Sequence, residues 1–237
     1  MRLNRVTPLV LMCCCLELAC TSRIARPRAA VAFCGTAGSR VHQAWQNLSA
    51  AVQTPGGCDP DNGLRCDTIR AEMERLSVEC PYSPDVVMAN ALLAFEDHNP
   101  ARAQQLLDEL SALGVSNPEA ASLRIRIAIE EGNIPFALRF AEQQIRHMGD
   151  DAGLRETYAS ALYFAGRWEE TRTQLAAAQE LGAPAWRVGY AQGLVAESEG
   201  KFDEAKQRYQ EALKSRPEWR QAESRLRALI ATGKVSR

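Results

Sequence analysis

The stretch GKFDEAKQRYQEALKSRP, Gly200 to Pro217, decides the fold of this chain. Phe202, Ala205, Tyr209 and Ala212 follow one another at intervals of three and four residues, which places them on one face of a helix. Two of these four residues are alanines, at positions where a helix that faces a core usually carries leucine. Small side chains at such positions predict a helix that crosses its neighbour closely.

The pattern repeats with a period of 34 residues. Stepping back from Ala205 gives Thr171, Ala137 and Ala103, and stepping back from Gly200 gives Gly166, Gly132 and His98. The same step leads from Phe202 to Trp168, Ile134 and Pro100, from Tyr209 to Leu175, Ala141 and Leu107, and from Gly193 to Ala159, Ile125 and Ala91. A constant period with mostly small residues in register predicts a stacked array of helix pairs. Each pair buries its faces on its neighbours, and a glycine before the second helix makes the tight turn.

The repeat resembles the tetratricopeptide repeat (TPR) family. The best copy, Trp186–Glu218, matches the family pattern at Gly193, Gly200, Phe202, Ala205, Tyr209, Ala212 and Pro217. The copies at Pro84–Asn117, Pro118–Asp151 and Ala152–Pro184 are weaker; Thr171, for example, replaces the usual alanine. The resemblance implies an all-α fold, a right-handed superhelical array of antiparallel helix pairs over residues 83–233 that ends in a capping helix.

Residues 34–82 predict a helical hairpin ahead of the array. Val41, Trp45, Leu48 and Val52 share one helical face, as do Ile69, Met73, Leu76 and Cys80, and a loop rich in Gly, Pro and Asp separates the two stretches. This hairpin is either a degenerate repeat or a capping pair.

Four cysteines lie in this hairpin. Cys34 and Cys80 stand at ends that meet in an antiparallel pair, and Cys58 and Cys66 flank the loop. We therefore predict disulfides Cys34–Cys80 and Cys58–Cys66, although the sequence alone allows three pairings. A four-thiolate metal site is the alternative, but the spacing lacks the close C-x-x-C pairs that zinc sites prefer.

The first residues have the features of an export signal. Arg2 and Arg5 precede an apolar run, Val6–Leu16, that is too short to span a membrane. Ala19 and Cys20 resemble the lipobox of bacterial lipoproteins, although Glu17 departs from that pattern. We predict a signal peptide at 1–19, a flexible tether at 20–33, and lipidation of Cys20, which would hold the protein at the periplasmic face of the outer membrane. A plain cleaved signal or a misplaced start codon is the alternative.

The sequence contains no recognisable catalytic constellation. Its three histidines, His42, His98 and His147, are far apart in sequence, and it has no nucleophile elbow, P-loop or H-E-x-x-H motif. The segment CDPDNG hints at calcium but lacks the later ligands of a calcium loop. A formal net charge of −1 gives no reason to expect a nucleic-acid surface. We expect no enzyme activity, no cofactor and no metal.

The resemblance implies that the first helix of each pair lines a concave groove. The candidate partner-binding residues at the corresponding places are Met88, Phe95, Arg126, Ile129, Tyr163, Phe164, Tyr190 and Leu194, and the same places include Leu92, Glu156, Arg187 and Glu197. This predicts a largely apolar and aromatic groove with few charges. The alternative is that Leu92, Ile129 and Leu194 are core residues between adjacent helices.

These features predict a non-enzymatic, protein-binding scaffold of the bacterial cell envelope. It would hold a protein or peptide partner in its groove and help to assemble or stabilise an envelope complex. The alternatives are a structural subunit or spacer, or a cytosolic TPR adaptor if the N-terminus is not a signal. Capture of a peptide carboxylate by basic groove residues is disfavoured, because Arg126 and Arg187 lie two repeats apart. The sequence indicates neither the partner's identity nor the oligomeric state.

Overall fold

The computed structural model describes residues 38–52 and 64–235, and every regular element in these two ranges is a helix. The helices are α1 (Gly38–Val52), α2 (Leu64–Glu79), α3 (Pro84–Glu96), α4 (Pro100–Ala112), α5 (Pro118–Glu130), α6 (Ile134–Met148), α7 (Ala152–Phe164), α8 (Trp168–Glu180), α9 (Ala185–Ser198), α10 (Phe202–Ser215) and α11 (Arg220–Ala231). The predicted signal peptide, the tether and the lipidation site Cys20 lie outside the described residues.

The helices from α3 onward pack as successive pairs. Within the pairs α3–α4, α5–α6, α7–α8 and α9–α10 a short turn reverses the chain, and each second helix also contacts the first helix of the next pair. The buried side chains form four clusters in order along the chain, the first centred on α1–α4 and the last on α9–α11. The predicted all-α array of helix pairs is therefore confirmed, and its core is spread along the stack.

The turns inside the pairs reproduce the 34-residue period in backbone geometry. Gly132, Gly166 and Gly200 have φ of 73°, 73° and 75°, and His98, one period before Gly132, has φ of 55°. At each turn the amide of this residue and the next one donate to carbonyls of the preceding helix, which ends the helix in a Schellman motif. Three of the four turns thus use glycine, which adopts a left-handed conformation without strain, and the fourth uses histidine.

The small residues lie where the paired helices cross. A β-carbon built on Gly193 of α9 would lie 2.5 Å from Cε1 of Tyr209 on α10, so the tyrosine ring rests on bare backbone. Ala205 and Ala212 are fully buried beside it. The corresponding positions hold Ala159 with Leu175, Ile125 with Ala141, and Ala91 with Leu107, all of them buried. A large residue on one helix therefore goes with a small one on the other in every pair.

Helix α2 follows the same 34-residue period as the second helices of the pairs. Ile69, Met73 and Leu76 of α2 precede Ala103, Leu107 and Leu110 of α4 by one period, and all six are buried. Arg70 of α2 pairs with Asp97 at 2.5 Å, as Gln104 of α4 donates to Glu131 one period later at 3.1 Å. Helix α2 thus corresponds to a second helix of the array, one period before α4.

Cys80 closes α2 and is buried, with 1% of its surface exposed. Cys34, Cys58 and the side chain of Cys66 lie outside the described part of the chain. The pairings Cys34–Cys80 and Cys58–Cys66 therefore remain predictions. Among the helices that the structure describes, none combines the length and the apolar character needed to cross a bilayer.

Candidate functional site

A groove of about 690 Å³ runs along the first helices of the pairs. Helices α3, α5, α7 and α9 contribute most of its surface, Trp45 of α1 closes one end, and Trp219, just before α11, closes the other. The second helices contribute little, because they pack on the opposite side of each first helix. The structure therefore places a continuous concave surface where the TPR resemblance implies one.

Several of the predicted residues lie in this groove. Met88, Arg126, Tyr190 and Leu194 line it, together with Leu92, Glu156 and Arg187. Phe95 is buried, with 5% exposed, under the guanidinium of Arg126, whose Cζ lies 4.5 Å from the ring centroid. Phe95 thus supports Arg126 from below.

The other predicted residues do not line this groove. Tyr163 and Phe164 end α7, with their rings 5.4 Å apart edge to face, and the hydroxyl of Tyr163 forms a 2.9 Å hydrogen bond with Ser198 Oγ. Phe164 is 60% exposed, whereas Ile129 is half-buried against the neighbouring core. Glu197 is occupied below the groove, where Oε2 accepts from the hydroxyl of Tyr209 at 2.8 Å.

The sequence analysis did not place several groove residues on this surface, among them Trp45, Trp186, Arg216 and Trp219. Three of the four tryptophans of the chain thus line the groove. Trp45 belongs to the predicted hairpin and Trp219 to the predicted capping helix, and neither element was expected to line the concave surface. Trp186 and Trp219 lie at the starts of helices near one end of the array, and this shared position is the sequence feature that could have indicated their place in the groove.

The end of the groove at α9–α11 is an aromatic cluster. The rings of Trp186 and Trp219 are 3.8 Å apart, and Tyr190 lies 5.6 Å from Trp219 and 5.7 Å from Tyr209. The guanidinium of Arg216 lies over Trp186 at 4.4 Å, which is cation–π distance. The indole Nε1 of Trp219 is buried and has no hydrogen-bond partner among the described residues.

Ion pairs connect neighbouring first helices across the groove. Arg187 of α9 binds Glu156 of α7 through two contacts of 2.5 and 3.1 Å, and Arg126 of α5 approaches Glu96 of α3 at 3.7 Å. Burial raises the pKa of both Glu156 and Glu96, and the arginine partners oppose that shift. The groove is thus more charged than predicted.

The charges that line the groove are separated by sign. On the α3–α7 side the lining contains four carboxylates, Glu96, Glu119, Asp151 and Glu156, and one guanidinium, Arg126. On the α9–α11 side it contains Arg187 and Arg216 and no carboxylate.

The whole sequence shows the same separation. Residues 201–237 hold ten Lys and Arg against five Asp and Glu, a net charge of +5, whereas residues 38–200 hold 13 against 23, a net charge of −10. Residues 1–37 carry a net charge of +4, so the whole chain has a net charge of −1, which conceals this difference. A count of charge by segment would have revealed it from the sequence.

No metal-binding constellation occurs in the described ranges, where no three His, Cys, Asp or Glu side chains cluster suitably. His98 lies in the turn after α3, and His42 of α1 contacts Gln46 on its own helix. Neither of these two histidines lines the groove.

Comparisons with known proteins support the fold. No protein-family model and no curated protein matches this chain. A thermophilic TPR protein from Thermus thermophilus superposes with a TM-score of 0.65 at 18% identity, covering 79% of this chain and 99% of that one. A tetratricopeptide repeat protein from Parabacteroides merdae superposes with a TM-score of 0.62 at 14% identity, covering 86% of each chain. The chain therefore has a TPR-like fold.

Proposed function

We propose that this TPR-like chain is a non-enzymatic scaffold of the bacterial cell envelope that holds a segment of a partner protein in its concave groove. The observation that carries the proposal is the groove itself, which is continuous over four first helices and has tryptophan side chains at both ends. Grooves lined by a few large aromatic anchors are where binding energy concentrates at protein interfaces. The partner helps to form, or is stabilised in, a larger envelope complex.

The groove is suited to a polypeptide because its apolar surfaces lie at the ends. Trp45, Met88 and Leu92 provide one apolar end, and Trp186 and Tyr190 provide part of the other. Each Å² of apolar surface that a partner buries there contributes about 25 cal/mol before ordering costs are subtracted. Two separated anchors favour an extended or helical segment over a small molecule.

Ion pairs and hydrogen bonds hold the groove in shape before a partner arrives. The Arg187–Glu156 pair joins α9 to α7, and Tyr209 joins α10 to Glu197 of α9. On the far side of Glu197, Arg225 of α11 approaches its Oε1 at 3.6 Å. Such bracing lowers the conformational entropy that is lost on binding.

The envelope location rests on the N-terminal sequence. A lipidated Cys20 would attach the array to a membrane surface through residues 20–33, which leaves the groove accessible to partners in the periplasm. Metabolic labelling with a radioactive fatty acid tests this anchor. We expect label in the wild-type protein and none in the Cys20→Ser variant; an unlabelled wild type would contradict lipidation.

Site-specific photo-crosslinking tests the groove. A benzoylphenylalanine is placed at Ser160, an exposed groove residue of α7, or at Gln207, an exposed residue of α10 outside the groove. In intact cells we expect a defined adduct from Ser160 that is absent from Gln207, and its size and mass spectrum identify the partner. Adducts from Gln207 alone would show that the outer surface is the one in use and would overturn the proposal.

A further inference from the structure

We propose that the C-terminal helix α11 belongs to the partner-binding machinery of the groove and is not only the cap that the TPR resemblance implies. It supplies one wall of the aromatic end through Trp219, and it holds that end in shape through Arg225. This inference rests on the proposed function and adds an element of the chain to it.

The start of α11 completes the lining that α9 begins. Helix α11 packs on α10, as each first helix packs on the second helix before it. Trp219 at the N-cap of α11 and Gln221 in its first turn both line the groove. The Trp219 ring lies 3.8 Å from the ring of Trp186 and 5.6 Å from that of Tyr190. The aromatic end of the groove therefore depends on where α11 is held.

A single carboxylate connects α11 to this aromatic end. Glu197 of α9 accepts from the hydroxyl of Tyr209 at 2.8 Å through Oε2, and its Oε1 lies 3.6 Å from Nη1 of Arg225. The Tyr209 ring lies 5.7 Å from the ring of Tyr190, which lines the groove. Glu197, Tyr209 and Arg225 do not line the groove themselves. They are therefore positioning residues, which act on a partner only through the rings that they hold.

This connection contributes more to geometry than to folding stability. The side chain of Arg225 is 50% exposed, and an ion pair at that exposure adds little to the free energy of folding. What the connection fixes is the relative position of α9, α10 and α11 beneath the groove. Its loss should therefore affect partner binding more than it affects unfolding.

Tryptophan at position 219 is costly for the fold. Its indole Nε1 is buried and has no hydrogen-bond partner among the described residues. A buried donor without an acceptor destabilises a folded protein, and departures of this kind are expected at functional sites. Phenylalanine would pack against Tyr190 without that cost, so the larger ring is explained by the groove surface that it provides.

Photo-crosslinking from α11 tests its place in the binding surface. In the full chain, benzoylphenylalanine replaces Gln221, which is exposed in the groove lining, or Ser224, an exposed residue of the same helix outside the lining. In intact cells we expect Gln221 to give an adduct with the same partner as Ser160, and Ser224 to give none. An adduct from Ser160 without one from Gln221 would overturn the role of α11 while the proposed function stands. Adducts from neither groove position would contradict the proposed function itself.

Variants of Glu197 test the positioning role. Glu197→Ala should reduce the Ser160 adduct several-fold at a temperature at which circular dichroism shows the variant to be folded. Glu197→Gln, whose amide oxygen can still accept from Tyr209, should restore part of the adduct. Glu223→Ala, which removes an ion pair confined to α11, is the matched control and should leave the adduct unchanged. Equal effects of Glu197→Ala and Glu223→Ala would overturn the positioning role.

A double variant shows whether Glu197 acts through Tyr209. Tyr209→Phe removes the hydroxyl and keeps the ring. Combined with Glu197→Ala, it should lower the adduct no further than Glu197→Ala does alone, because both changes break the same hydrogen bond. Additive losses would show that the two residues act independently and would refute the connection.

Trp219→Phe separates the groove surface from the fold. It removes the unpaired N–H and shortens the aromatic wall. We expect an unchanged or higher midpoint of thermal unfolding together with a several-fold weaker Ser160 adduct. A lower midpoint with an unchanged adduct would show that Trp219 serves folding alone and would overturn its role in binding.

Discussion

Tyr209 of α10 rests directly on Gly193 of α9, so closely that any β-carbon there would enter the tyrosine ring. Tyr209 is fully buried, and burial raises the pKa of its hydroxyl, which donates to Glu197. We expect Gly193→Ala to destabilise the protein by about 1–3 kcal/mol, because the ring has no room to move aside. The free energy of unfolding in urea measures this.

Two further variants check that the cause is the contact itself. Gly189→Ala is the matched control, since a β-carbon there meets its nearest atom, the backbone oxygen of Arg208, at an ordinary 3.7 Å. It should be neutral or stabilising by up to about 1 kcal/mol, because alanine favours helix over glycine. Adding Tyr209→Leu to Gly193→Ala recreates the Ala159–Leu175 combination and should recover part of the loss. Equal losses in the two single glycine variants would refute the explanation.

His98 adopts a backbone conformation that the other three turns reserve for glycine. Its φ of 55° is left-handed, and the β-carbon makes this costly for a non-glycine residue. His98→Gly should stabilise the protein by about 0.5–1 kcal/mol, the relief of strain exceeding the added entropy of the unfolded chain. Gly132→Ala, the reciprocal change at φ of 73°, should destabilise it by about 1 kcal/mol. The midpoints of thermal unfolding, monitored by circular dichroism, compare the two variants. A lower midpoint for His98→Gly would contradict the explanation that the backbone of His98 is strained.

Much of the fold could be predicted because the period is carried by steric constraints. The turns require glycine at positions 132, 166 and 200 because φ is positive there, and the close approach of two helices requires a small residue at Ala205. Both constraints restrict the residue type at a single position, so they are visible in the sequence. The hairpin was harder to place because only its second helix follows the 34-residue period. Residues 53–63 separate α1 from α2 in the sequence, so α1 does not fall one period before α3. The burial of Met73 and Leu76 and the ion pair between Arg70 and Asp97 show that α2 packs in register with the array.

The groove was predicted less completely because it depends on how the helices stack. Periodicity indicates which residues of α3, α5 and α7 face inward, and Met88 and Arg126 are among the residues that line the groove. It does not show how far along each helix the groove extends, which is why Tyr163 and Phe164 fall beyond it. Trp219 reaches the groove because α11 packs on α10. This contact involves the capping helix, which is not part of the repeat, so the repeat pattern does not predict it.

The Arg172–Glu199 pair makes stability depend on pH. Hydrogen bonds from Arg172 and Lys201 lower the pKa of Glu199 below its usual value of about 4.3. A carboxyl whose pKa is lower in the folded than in the unfolded chain stabilises the fold at any pH above its unfolded-state pKa. This contribution is lost as the pH falls through the pKa of the folded state. Glu199→Gln should therefore cost about 0.5 kcal/mol at pH 7 and progressively less below pH 4. Glu180→Gln, at an exposed residue of α8, is the control, and a loss that does not change with pH would contradict the assignment.

A disulfide at Cys80 would act on one end of the array. If Cys34 and Cys80 are joined, reduction should loosen α1 and α2 while leaving α9 and α10 intact, because the core is divided into successive clusters. Hydrogen exchange read out by mass spectrometry should show faster exchange in peptides from α1 and α2 only. Cys80→Ser should reproduce this without reductant. Simultaneous loss of protection in all helices would contradict the predicted pairing or the division of the core.

Phe164 and Tyr190 separate the groove from the neighbouring apolar surface. Both are aromatic residues of first helices, but Tyr190 lines the groove and Phe164, 60% exposed, lies outside it. Phe164→Ser should change the unfolding free energy by less than about 0.5 kcal/mol and leave crosslinking from Ser160 unchanged. Tyr190→Ser removes a groove aromatic that packs on Trp219, and it should reduce that crosslinking several-fold. A Phe164→Ser variant that loses the adduct while Tyr190→Ser keeps it would move the binding surface to the C-terminal ends of the first helices.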